Sequence, residues 1–189
     1  MKHKLDCAYH TSTFEKHQDL KYEILKLIEQ TPYDSPKELQ AEVNITKTDW
    51  NHSKNMDRKW VRYLFQDLMD HMLVGYKELG YGNFTVTDLW FQQYEENSEH
   101  GWHIHGENFT NVYYLELPNE TPKTQLISPY DQKTIIELDV KEGDTVIFPS
   151  FVLHKAPKNK SNQRKSIVSF NSEVGYPDEI YRRNLDATI

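Results

Sequence analysis

Near residue 84 the apolar residues of this 189-residue chain change their spacing, from the three-to-four interval of a helix to the two-residue alternation of a strand. No other feature narrows the fold so far. Upstream, Leu20, Ile24, Leu27 and Ile28 lie on one stripe of a helix expected over residues 14–30, which Thr31-Pro32 ends because proline clashes with a continuing turn. A second helix is expected over residues 58–79, where Trp60, Leu64, Leu68, Met72 and Gly75 or Tyr76 recur on one face, with Asp57 as its cap and Gly80 as its stop. Between them, AEVNITKTDW reads as a short strand and a loop. Downstream, FTVTDLWFQQY, NVYYLEL, TQLIS, TIIEL, DTVIF and SIVSFN are rich in β-branched and aromatic residues and are separated by Pro, Gly, Asn and Asp. Six such strands after two helices predict an α+β, mainly β fold, a double-sheet jelly roll with the N-terminal helices packed on one sheet. The length suits one domain with one sizeable core, divided into a helical part (1–83), a jelly-roll core (84–174) and a polar tail (175–189) that wraps the surface or serves a dimer contact.

Charge and cysteine usage bear on the partners. A formal net charge of -7, with no dense cluster of Lys and Arg, makes nucleic acid or an anionic membrane surface an unfavourable partner. No apolar run approaches the ~18 residues that a membrane helix requires. The start MKHKLDCAYH lacks the apolar segment of a signal peptide, and the single cysteine, Cys7, has no internal disulfide partner; both point to the cytoplasm. The pattern leaves oligomeric state open.

The segment GWHIHGEN carries the chemistry. In an extended chain His103, His105 and Glu107 leave the same face, so ligand-type groups converge there. Two imidazoles and one carboxylate suit a divalent iron that keeps positions open for other ligands. His154, after the strand beginning at Asp144 and the turn at Pro149-Ser150, is the candidate from the second segment. His3, His10, His17, His52, His71 and His100 sit in contexts where a surface or hydrogen-bonded histidine is ordinary. The pair His103 and His105 differs because Asn108, Thr110 and Asn111 nearby can orient the second ring nitrogen of a ligand.

Arg164 follows His154 by ten residues. A return through KAPKNKSNQ brings its strand back beside the one ending near His154, so its planar fork is expected to point into the same cavity and grip a carboxylate, with the Ser166 hydroxyl on the same side. Trp90, Phe91, Tyr94, Trp102, Phe148 and Phe151 are candidates for an aromatic wall.

Taken in order, GWHIHGENFTNVYYLELP, EGDTVIFPSFVLHKAP and RKSIVSFN resemble the 2-oxoglutarate and Fe(II)-dependent oxygenase superfamily, in particular its prolyl-hydroxylase-like and phage-type members, over residues 84–174. The resemblance implies a double-stranded β-helix and a hydroxylase-type dioxygenase. Its cofactors would be Fe(II), 2-oxoglutarate and O₂, and a phage-encoded chain would work in the host cytoplasm. It implies a metal held by His105 and His154 with either Glu107 or His103, 2-oxoglutarate held by Arg164, Ser166 and Tyr114, and no catalytic side chain beyond the metal ligands. The superfamily usually shows His-x-Asp/Glu, and here His105 with Glu107 competes with His103 with His105. The substrate is open, a protein or peptide side chain being one class. The alternatives are a cupin-like metal-binding protein with other or no oxygen chemistry, and a non-catalytic jelly-roll binding module.

Overall fold

The apolar stripes fold as expected into helices α1 (His17–Glu29) and α2 (Lys59–Glu78). The computed structural model describes residues 7–34 and 43–175, so His3 and the tail from residue 176 lie outside the described residues. Helix α2 ends as its glycine predicts. Gly80 takes φ 92°, its N–H bonds to the Lys77 carbonyl at 3.0 Å, and the Tyr81 N–H reaches back to Tyr76 at 2.9 Å, closing a Schellman motif. The start differs: Arg58, not Asp57, is the residue flanking the first turn, and no side chain caps it.

Two sheets face each other. The larger contains β1 (His10–Thr13), β3 (Lys47–Thr48), β4 (Phe84–Tyr94), β6 (Phe109–Glu116), β9 (Asp144–Pro149) and β11 (Lys165–Val174), in the order β1-β9-β6-β11-β4-β3. The smaller contains β2 (Val43–Asn44), β5 (Glu99–His103), β7 (Gln125–Ile127), β8 (Ile135–Glu137) and β10 (His154–Ala156), in the order β2-β5-β10-β7-β8. Every pairing among the described residues is antiparallel. This is the expected helix-covered jelly roll. The strands without a sequence signal are short, or polar like β1 (HTST), which pairs only with β9 at a sheet edge and so needs no apolar face.

The alternation in the large sheet feeds two cores. Leu89, Phe91, Tyr113, Val168 and Phe170 face α1 and α2, while Tyr94, Val112, Tyr114, Phe148 and Ile167 face the interior between the sheets. A strand covered on both faces is apolar at almost every position, which is why the runs read as strands but did not reveal which face is which.

Asp49 ties the helical layer to β4. Its fully buried carboxylate accepts the Phe91 N–H and the Trp60 indole N–H, both at 2.9 Å, and pairs with the buried Arg58 guanidinium. Arg58 in turn donates to the carbonyls of Leu89 and Asn55. The cluster fixes the one-turn 3-10 helix Trp50–His52 and the start of α2 against the strand that carries Trp90. Removing one member strands a buried charge, so Asp49→Ala is expected to lower the unfolding free energy by about 3–5 kcal/mol, measured by urea denaturation.

Candidate metal centre

His103 and His154 stand directly opposite each other in the antiparallel pair β5–β10, so the pleat sends both rings off the same face into the interior. Their centroids are 4.2 Å apart. His105, two residues past the end of β5, is tethered where its N–H donates to the Ser150 carbonyl at 3.1 Å, and its ring lies 5.1 Å from each of the other two. One ring nitrogen from each of these three histidines lies within 4.8 Å of the others.

Two of the rings are already oriented. The Nδ1–H of His103 donates to the Gly101 carbonyl at 2.7 Å and that of His154 to Val152 at 2.9 Å. A proton held on Nδ1 leaves the Nε2 lone pair for a metal, the arrangement that backbone carbonyls commonly impose on ligating histidines. The partners expected from the sequence are occupied elsewhere: Thr110 bonds Ser150, Asn111 bonds Tyr76 of α2, and Asn108 bonds the Val174 N–H. Burial, reinforced by the neighbouring rings, pushes the imidazole of His154 down to about 2 and that of His105 to about 4; burial also lowers His103. All three are therefore neutral at pH 7, the form that ligates.

Glu107 is not part of this cluster. Strand β5 ends at His103 and the chain bends at residues 106–108 before β6, so the alternation that would place residues 103, 105 and 107 on one face holds for a single step. The structure thus brings together the His103 register with three imidazoles, and leaves the carboxylate outside.

Arg164 does not enter the cavity. Its guanidinium makes a two-point bond to Glu116 at 2.9 and 3.1 Å and an ion pair to Glu29 of α1 at 2.9 Å, on the helix-facing side of the sheet. Ser166 keeps the same side, as alternation requires, and donates to Glu116 while accepting from Gln93. The residue between them faces inward. Lys165 is fully buried; its ammonium lies 4.9 Å from the Tyr94 ring centroid and donates to the Pro122 carbonyl at 3.0 Å. Burial lowers its pKa to about 7. The expectation for Arg164 and Ser166 fails by one residue of register, enough to move a side chain to the opposite face. Tyr114 does point inward, its hydroxyl donating to Thr124 at 2.8 Å, whereas Tyr113 faces α1 and bonds His17.

Around the rings the interior narrows to a cavity of about 30 Å³, which Trp90, Gln92, Tyr94 and Thr124 help to line, and it opens outward into a cleft of about 220 Å³. Of the expected aromatic wall, Trp90 and Tyr94 line the cavity and Phe148 meets His154 edge-on at 4.8 Å. Phe91 belongs to the helix-side core, Trp102 carries Lys155 over its ring, and Phe151 is exposed. His100, read from sequence as an ordinary histidine, stacks on His103 at 3.8 Å and lines the cavity. Trp50, at the end of the loop read from AEVNITKTDW, stacks on Trp90 at the mouth. Neither carries a sequence signal: His100 comes to lie against His103 through a register shift between β5 and β10, and Trp50 through the approach of a distant segment to β4.

Three imidazoles suit Fe(II) chemically, and the inward lysine suits a carboxylate. The profile of the phytanoyl-CoA dioxygenase (PhyH) family matches residues 83–167. No curated protein matches the chain in sequence. Among solved structures, a Pseudomonas putida prolyl-4-hydroxylase superposes with TM-score 0.63 at 12% identity, over 89% of this chain and 94% of the other. The viral collagen prolyl hydroxylase of Paramecium Bursaria Chlorella virus-1, in its 2-oxoglutarate complex, gives 0.58 at 17% identity over 87% and 94%. HygX from Streptomyces hygroscopicus, with nickel, 2-oxoglutarate and hygromycin B bound, gives 0.65 at 9% identity over 88% and 83%. The family profile spans the strands that carry His103 and His154, and the chain shares its fold with these 2-oxoglutarate-dependent oxygenases.

Proposed function

We propose that this protein is a 2-oxoglutarate and Fe(II)-dependent oxygenase that couples decarboxylation of 2-oxoglutarate to hydroxylation of its substrate, with Fe(II) on His103, His105 and His154 and the distal carboxylate of 2-oxoglutarate on Lys165. The observation that carries the reading is the pairing of three neutral imidazoles with one buried lysine on the inner faces of the same two sheets. Bound Fe(II) supplies the activation of O₂. The side chains do the rest. The Gly101 and Val152 carbonyls aim two imidazoles, Phe148 and Trp90 shield the rings from water, and Lys165 offers a cation where a charged hydrogen bond is strong because the surroundings are dry.

The register of β11 supports the span. Lys165 pairs with Tyr94, and four residues along the strand Ser169 pairs with Trp90, which lies against His105. That is roughly 13 Å at the usual rise, a distance that a lysine stem and a five-carbon diacid bridge end to end. The inner cavity is smaller than such a diacid, so Gln92 and Lys155, which line it, swing aside on binding. The absence of a carboxylate from the histidine cluster favours the cupin-like alternative, and Lys165 favours the oxygenase, since a plain metal binder has no use for a buried cation there.

The decisive assay is succinate formation after anaerobic loading with Fe(II) and 2-oxoglutarate and exposure to air. Succinate is expected; intact metal binding without succinate, whatever substrate pool is added, would establish the cupin-like alternative. Lys165→Met is expected to weaken 2-oxoglutarate binding to the Zn(II)-loaded protein by roughly 10- to 150-fold by calorimetry, and Arg164→Ala to change it less than about threefold. Lys165 is largely neutral above its pKa of about 7 and becomes charged on gripping an anion, so binding at pH 8 should take up close to one proton, read from the buffer dependence of the enthalpy.

Loss of any one of His103, His105 and His154 to alanine should lower Zn(II) affinity by on the order of 100-fold, while Glu107→Gln leaves it unchanged within experimental error. The same imidazoles make the metal-free protein acid-sensitive. Below the ordinary value near 6.5 the unfolded chain takes up protons that the folded rings refuse, so stability is complete above about pH 6.5 and declines toward pH 4, measured as a falling urea midpoint.

A further inference from the structure

Trp90 is 3% exposed, and its indole Nε1 is buried without a hydrogen-bond partner. An indole N–H can only donate, and a buried donor left unmatched keeps the full penalty of its lost hydration, so such atoms are rare and call for an acceptor from outside the chain. The place is informative. Trp90 lines both the inner cavity and the outer cleft, with its ring 6.0 Å from that of His105 and stacked at 6.1 Å on Trp50. The cleft it faces is walled by Trp50 and Ile104, which are 46% and 57% exposed, and Phe151, 64% exposed, follows Ser150, whose carbonyl holds the His105 loop. A donor at the boundary between the metal ligands and an apolar mouth is placed for the molecule that enters there.

Charge narrows the acceptor. With neutral imidazoles as ligands, a divalent ion, a charged Lys165 and a doubly charged 2-oxoglutarate leave a single positive charge, which the carboxylate of Asp88 offsets. Asp88, two residues before Trp90 on the same face of β4, is close enough to His105 to act on its charge and would repel a carboxylate. We propose that the Trp90 indole N–H is the specificity contact for the substrate, holding a neutral carbonyl oxygen, amide or ester, on an apolar group seated against Trp50 and Ile104. This rests on the oxygenase reading above and adds the substrate's chemical class.

The test is indole ¹⁵N–¹H spectroscopy of the Zn(II)-loaded protein. Trp90→Phe identifies the Trp90 resonance, and Trp60, already bonded to Asp49 at 2.9 Å, serves as the internal reference. First 2-oxoglutarate is added, then 3-phenylpropanamide, 3-phenylpropanoate or 3-phenylpropylammonium. The amide should move the Trp90 N–H downfield and leave Trp60 in place, bind at least about threefold tighter than the carboxylate, and lose roughly fivefold in affinity in Trp90→Phe, while the ammonium leaves the resonance unmoved. A full shift on 2-oxoglutarate alone would assign the donor to the co-substrate and overturn the proposal. So would normal 2-oxoglutarate binding with a Trp90 resonance blind to the amide, or a preference for the carboxylate. Failure of 2-oxoglutarate to bind at all removes the oxygenase reading, and this inference with it.

Discussion

Each strand of the trio β4, β11 and β6 presents alternate side chains to two different apolar environments, and the rest of the molecule depends on that division. One face packs against α1 and α2, and the other closes against the small sheet. A slip of one residue would exchange the two sets and bury the Arg164–Glu116–Ser166 cluster where Lys165 and Ile167 now lie. The register is held by long ladders of hydrogen bonds, by two bulges that absorb mismatches, and on the helix side by contacts such as Tyr76 with Asn111 and Ser172. Lys165 is a consequence of this: a lysine is held in the interior because its neighbours on the strand are committed to both sides.

The small sheet contributes less core and two of the three candidate metal ligands. Opposing His103 and His154 across β5 and β10 makes the distance between them a property of the ladder itself, and two backbone carbonyls fix the ring orientation. Positioning ligands on strands rather than on loops is the more exact solution. His105 is the exception, carried on the loop and held by one main-chain bond to Ser150. The third ligand is thereby coupled to the segment that bears Phe151 at the mouth, so the apolar entrance and the metal geometry share a support.

Much of this was readable. The helices fall within one to three residues of the predicted limits, and Gly80 announced the end of α2 because only a residue tolerant of positive φ closes that motif cheaply. The runs from FTVTDLWFQQY to SIVSFN announced a jelly roll, and His103, His105 and His154 stood out as ligand types. Strands β1, β5 and β10 were silent, since three to five residues at a sheet edge or in a small sheet need no apolar periodicity. His100 and Trp50 were silent for a related reason: nothing local marks the register shift that stacks His100 on His103, or the distant strand that brings Trp90 to Trp50.

The sequence by itself determined the class of fold and the kinds of group available, because periodicity and side-chain chemistry are local properties. Tertiary structure alone decided between neighbours. It left Glu107 outside the cluster that His103 joins, because the chain bends after β5. It turned Lys165 rather than Arg164 inward, because the pairing of β11 with strands far away in the chain sets its phase and a two-residue repeat flanked by apolar layers on both sides carries no mark of that phase.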